Sequence, residues 1–167
     1  MEQVFDACDS KTAAIIINSP NNPSGWTMSN QEQKILLEFA RKKGIWIVSD
    51  EVYARISFNS SHAPSFSEVM EKDDRVIIVN SFSKSWAMTG WRLGWITAPA
   101  HLGVQLEKLN EYNVAGPPPF IQQAGIAALK DGEAFIKESN NRYLKALSHF
   151  TKWANAQERI EFAPPIG

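Results

Sequence analysis

Three short apolar runs, each emptying into polar side chains, organise the first half of the chain. The first is Ala13-Ala14-Ile15-Ile16-Ile17, a continuous run of the kind expected for a strand buried on both faces. It stops at "NSPNNPSG", where two X-Pro steps and Gly25 exclude regular structure. Ser29 and Glu32 then have capping-box spacing, and Ile35, Leu36, Phe39 and Ala40 recur as on one helix face. Arg41, Lys42 and Lys43 suit a last turn, and Gly44 suits the position after it. Ile45-Trp46-Ile47-Val48 is a second apolar run, ending at Asp50. Strand, helix and strand within about thirty residues predict a right-handed βαβ crossover.

A polar stretch with a weak helical segment around Phe66 to Glu71 leads to the third run, Val76 to Val79. Leu93 to Ala98 reads as a further strand. Helices are expected at Leu102 to Asn113 and Phe120 to Lys130, separated by "AGPPP", because stacked prolines cannot continue a helix. Phe135 to Trp153 reads as a long amphipathic helix with Tyr143, Leu147 and Phe150 on one stripe. The tail "RIEFAPPIG" has the composition to begin another strand. There is no internal repeat or low-complexity linker. The alternation is that of an α/β architecture.

Composition narrows the partner. A chain of 167 residues, 44% hydrophobic, is one ordinary domain with enough apolar material for a core. Seventeen basic residues against eighteen acidic ones give a net charge of −1, so no nucleic-acid partner and no anionic membrane is indicated. No apolar run approaches the roughly 20 residues that span a bilayer, and the start lacks the pattern of a secretory leader. The single Cys8 excludes a disulfide framework and a cysteine-based metal site, which favours a reducing, cytoplasmic setting. A small molecule is the expected partner.

In open α/β sheets ligands bind beyond the carboxyl ends of the strands, so the strand ends carry the question of function. The first runs through Asn18-Ser19 into Asn21-Asn22-Pro23-Ser24-Gly25. The second ends in Asp50-Glu51-Val52-Tyr53, and the third in Ser81-Phe82-Ser83-Lys84 with Arg92 following. Singly, each has a plain reading: Lys84 as a solvated lysine, Asp50 as a cap, Asn22 in a turn, Tyr53 as a rim aromatic, Arg92 in a surface ion pair. Together they are richer than packing requires. A lysine amine forms a Schiff base with a carbonyl and carries protons. A carboxylate keeps a pyridine nitrogen protonated. A phenol and an amide stabilise a ring oxygen anion, and serines with arginine hold a phosphate. Glu51, next to Asp50, points the other way in an extended strand and is set aside. Arg55 is the one ambiguous charge, near the rim or a solvated side chain; His62, His101 and His149 are expected to be structural or solvated, and Trp86, Trp91 and Trp95 packed around the third strand.

"NSPNNPSG", "SDEVY" and "SFSKSWAMTGWRLGW", in this order and spacing, resemble the motifs of the class I/II aminotransferases. These are pyridoxal-phosphate-dependent enzymes of fold type I, related to aspartate aminotransferase. The resemblance covers nearly the whole chain, and implies a mostly parallel sheet with one antiparallel strand (Leu93 to Ala98) and helices on both faces. It implies that Lys84 carries pyridoxal 5'-phosphate as a Schiff base. Asp50 would face the pyridine nitrogen, and Tyr53 and Asn22 the ring hydroxyl. Ser81, Ser83 and Arg92 would hold the phosphate. Lys84, Asp50 and Tyr53 would be the catalytic set, exchanging an amino group between an amino acid and a 2-oxo acid in a homodimeric full-length enzyme.

Relative to that family the chain is short. It resembles the later half of a large cofactor-binding domain (1–132), a linking helix (133–154) and the start of a small domain (155–167). A phosphate loop, an aromatic ring stacking on the cofactor and a carboxylate-binding arginine would lie outside it, so weak or no turnover is expected of this piece alone. Two other readings fit the same residues: a lyase acting at the β or γ carbon of an amino acid, and a non-catalytic domain that keeps the fold. A nucleotide-binding α/β domain does not fit, since no G-x-G-x-x-G or P-loop follows any strand.

Overall fold

Side-chain burial on one face of a four-stranded sheet builds the core. The computed structural model describes residues 1–167. Strands β1 (Ala14–Asn18), β2 (Trp46–Asp50), β3 (Val76–Ser81) and β4 (Gly94–Thr97) lie side by side in chain order. β1, β2 and β3 are parallel, and β4 is antiparallel to β3. Ile15, Ile47 and Val76 share one register row on the buried face, with Ile78 beside them. β1 is an edge strand, and Ile16, on the sheet's opposite face where no layer covers it, is 74% exposed. Burial of the first apolar run on both faces therefore does not hold.

Helix α1 (Glu2–Asp6) and helix α2 (Asn30–Lys43) serve the core face. The capping box forms as the sequence predicts: the Glu32 backbone N–H donates to the Ser29 hydroxyl, and the Ser29 N–H to the Glu32 carboxylate. These bonds lower the Glu32 pKa, the Ser29 backbone bond most. Gly44 closes the helix at φ 69°, a conformation that suits glycine. The buried stripe is Gln33, Leu36, Leu37 and Ala40. Ile35 is exposed, and Phe39 instead stacks on Phe5 of α1 with ring centroids 4.2 Å apart. The weak helix near Phe66 reduces to one 3₁₀ turn, Phe66–Glu68, which drives Phe66 fully into the core.

Helices α3 (Gly103–Val114), α4 (Pro119–Asp131) and α5 (Glu133–Asn155) follow β4, close to their predicted bounds. α4 approaches the sheet closely at Gly125, where a Cβ would meet Leu93 Cδ2 at 2.5 Å. The expected Tyr143-Leu147-Phe150 stripe of α5 is not its buried face. That helix buries Ile136, Ser139 and Ala154, while Tyr143 and Phe150 are largely exposed. The tail forms no strand. Pro164 and Pro165 lack N–H donors, leaving Ile166 to donate to the Gly25 carbonyl (3.1 Å) and accept from the Phe58 N–H (3.0 Å). No helix is long and apolar enough to cross a membrane.

Candidate active site

The carboxyl ends of β1, β2 and β3 face one rim, because all three strands run the same way. After β1 the chain folds into a turn fixed by Asn21. Its carboxamide oxygen accepts from the Ser24 hydroxyl (2.7 Å) and N–H (3.3 Å), and its carbonyl from the Gly25 N–H (2.8 Å). That leaves the Asn22 side chain free to act, and it donates to the Tyr53 hydroxyl at 3.0 Å. The turn and the ligand-facing amide are thus built from adjacent residues with separate tasks.

β2 ends in two carboxylates that diverge by the alternation of a strand. Asp50 is half-buried on the rim and accepts from the Val52 N–H at 3.2 Å. Glu51 turns to the core side, 3% exposed, where one oxygen accepts from the Ser49 hydroxyl (2.9 Å) and the Phe66 N–H (3.0 Å). Burial pushes its pKa above the usual 4.5, with hydrogen bonds opposing the shift. The folded protein therefore holds this proton more tightly than the unfolded chain. The stability this gives is complete below 4.5 and is lost as pH rises through the raised value. Glu51→Gln preserves the acceptor oxygen without the charge. Urea unfolding of this variant is expected to lose the decline in stability that the parent shows as pH rises from 4.5 through the raised value.

The loop after β3 is anchored on both sides of Lys84. Phe82 is buried against Trp86 and Trp95, with centroid distances of 5.1 and 5.2 Å. The Trp86 indole donates to the Ala128 carbonyl of α4 at 3.0 Å. Lys84, two residues from each anchor, is exposed, with its amine 5.7 Å from the Tyr53 ring centroid. Ser81 stitches the base of the loop, accepting from the Ser83 N–H (3.0 Å) and donating to the Leu93 carbonyl (3.4 Å). Its antiparallel partner Gly94 has no room for a Cβ, which would stand 2.5 Å from the Asn80 oxygen. Ala87 and Arg92 both adopt φ 52°, a left-handed conformation that costs such residues of the order of 1–2 kcal/mol. Strain of this kind concentrates where a loop is held for function. The Arg92 guanidinium donates to the Thr89 carbonyl at 3.1 Å and enters no ion pair.

The fold that carries this rim has counterparts among known proteins. Residues 1–165 match the family of class I and II aminotransferases. The chain belongs to that family. It is 36% identical over 151 residues to an aspartate aminotransferase of Thermococcus kodakarensis, covering 90% of this chain and 40% of that one. Its identity to the arginine–pyruvate transaminase AruH of Pseudomonas aeruginosa is 40% over 129 residues, 77% and 33% of the two chains. An aspartate aminotransferase structure from Thermotoga maritima superposes with a TM-score of 0.86 at 29% identity, covering all of this chain and 43% of that one. The aromatic aminotransferase of Pyrococcus horikoshii gives 0.85 at 33%, with coverage of 92% and 42%. The chain spans about a third to two fifths of the length of these relatives, and its sheet is the fold type I arrangement that the motifs imply.

Within this aminotransferase chain the predicted residues share a rim without lining one closed pocket. Asn22 and Tyr53 line a cavity of about 500 Å³ with Ile56, Phe58, Tyr143 and Phe162. Arg92 lines a separate groove between β4 and α3, and Ser81 a smaller cavity toward Trp86. Arg55 is not a free solvated side chain: its guanidinium grips both oxygens of Glu133, at 2.8 and 2.7 Å. Trp91, on a 3₁₀ turn, has no aromatic partner, whereas Trp86 and Trp95 pack on Phe82 and on each other; Trp91 and Trp95 are both exposed. One residue with no predicted role enters the site: the Asn18 amide touches both Asp50 and Asn22. The visible signal was its place at a strand end, which does not by itself say what an amide will reach.

Proposed function

We propose that this chain carries the lysine half of a pyridoxal-phosphate site, in a protein that moves an amino group between an L-amino acid and a 2-oxo acid. The observation that carries the reading is the Asn22–Tyr53 hydrogen bond, with the Lys84 amine beside the same tyrosine ring. Family membership supports it, and so does the donor set. An unpaired guanidinium, Arg92, suits a phosphate; a carboxylate at a strand end, Asp50, suits a pyridinium; the amide–phenol pair suits a ring hydroxyl. When bound, the cofactor supplies a carbonyl for an amine and a ring that accepts electrons.

The chain's own residues then have distinct tasks. Lys84 holds the carbonyl and afterwards moves a proton with its freed amine. Asp50 keeps the ring nitrogen protonated. Asn22 and Tyr53 donate to the ring oxygen, and Arg92, with Ser81 and Ser83 at the base of the loop, orients the phosphate. The 133–154 segment is proposed as the link to a smaller domain beginning at 155–167, and the complete enzyme as a homodimer. The relatives named above act on aspartate, on arginine with pyruvate and on aromatic substrates, as their names state. Pyridoxal phosphate added to the purified protein, followed by borohydride, is expected to leave a stable mass increment on Lys84. Label scattered over surface lysines, or none, would reject the reading.

A further inference from the structure

We infer that Asn18 is a positioning residue for this site, setting the distance between Asp50 and the Asn22–Tyr53 pair. The inference rests on the proposed cofactor reading. Asn18 is the last residue of β1 and stands opposite Asp50 in the sheet. Its side-chain nitrogen donates to the Asp50 carbonyl at 3.2 Å. Its side-chain oxygen accepts the Asn22 backbone N–H at 2.9 Å, with a longer contact from the Asn21 amide at 3.5 Å. Asn22 then donates to Tyr53, three residues beyond Asp50 on the same backbone. Three hydrogen bonds and that backbone segment close a ring through Asp50, Asn18, Asn22 and Tyr53.

The Asn18 amide is not needed for strand pairing. The Asp50 carbonyl already accepts the Ser19 N–H at 3.1 Å, so the ladder continues without it. What the amide adds is a tie between the β2 end and the loop after β1. Those two segments bear the groups proposed to meet the ring nitrogen and the ring hydroxyl. A rigid aromatic ring fixes the separation of those two atoms, so the protein groups must be held to a fraction of an ångström before it arrives.

The test reads the visible absorbance of lysine-bound pyridoxal phosphate against pH, in the parent protein, Asn18→Leu, Asn22→Ala and the double variant. Leucine has nearly the shape of asparagine and neither hydrogen-bonding group. Donors to the ring oxygen favour its ionised form. Loosening Asn22 is therefore expected to raise the midpoint, by about half to one pH unit for Asn18→Leu. The double variant is expected to go no further than Asn22→Ala alone, because Asn18 acts through Asn22. A purely structural role would lower the melting temperature and leave the midpoint in place. An unmoved midpoint, or fully additive shifts, overturns the inference. A parent protein that gives no lysine-bound band overturns the cofactor reading itself, and the inference with it. Asn18→Ala gives the same readout if the leucine variant does not fold.

Discussion

Lys84→Ala is expected to remove covalent capture of pyridoxal phosphate completely and to slow amino-group exchange by the full-length protein by a factor of about 10³ or more. Two losses combine. The carbonyl has no amine to hold it, and the proton that Lys84 would move has no carrier, a role worth roughly 10²–10⁴ in rate by itself. Fold should survive, because Lys84 is exposed and its loop is anchored at Phe82 and Trp86. Non-covalent retention of the cofactor should survive too, since Asp50, Tyr53, Asn22 and Arg92 are untouched. Lys84→Arg keeps the charge but not a readily deprotonated amine, so it should restore no exchange. Equilibrium dialysis, borohydride trapping and single-turnover exchange separate these outcomes. Normal exchange by the alanine variant would end the mechanism.

Phe66→Ala is expected to cost about 3–5 kcal/mol, a large part of the roughly 5–15 kcal/mol that holds an ordinary domain together. Phe66 has no exposed surface and belongs to the same cluster as Met28, Leu36, Ile47 and Ile78. Its 3₁₀ turn allows little local collapse, because Ser65 and Glu68 cap it reciprocally. The damage should reach the rim as well. The Phe66 N–H is one of the two bonds that hold Glu51, and Glu51 adjoins Asp50. Urea unfolding should show the loss of stability, and cofactor binding should weaken under conditions where the variant remains folded. Phe66→Leu, which keeps most of the volume, is the comparison. A midpoint unchanged in Phe66→Ala would mean that the turn is not part of the cooperative core.

What the sequence made legible was what local chemistry decides. Ser29, Glu32 and Gly44 mark the bounds of α2 because each cap is settled within four residues. The apolar runs gave β1, β2 and β3 to within one or two residues, and the motif at their ends gave the rim. Faces were harder. Ile16 and Ile35 read like their buried neighbours, and only the layer lying opposite decides which of them is covered. The five residues of α1 carry too little periodicity to register as a helix. Arg55 finds Glu133 across 78 positions, and nothing within the motif says that Trp91 lacks the aromatic partners that Trp86 has. Asn18 escaped for a related reason: its contact with Asp50 exists only once β1 and β2 are in register, and its contact with Asn22 only once the loop after β1 has folded.

The edge position of β1 has a consequence for how the protein behaves in company. β1 and β4 each have a neighbour on one side alone, so each offers a row of unpaired N–H and C=O groups to solvent. β1 adds a bare isoleucine to that row and has no proline, lysine or bulge to blunt it. Such an edge is a template for any extended polypeptide that meets it. A strand laid along it from elsewhere in a longer polypeptide would complete the sheet. In the absence of one, another molecule of the same chain can serve, and self-association should grow with concentration.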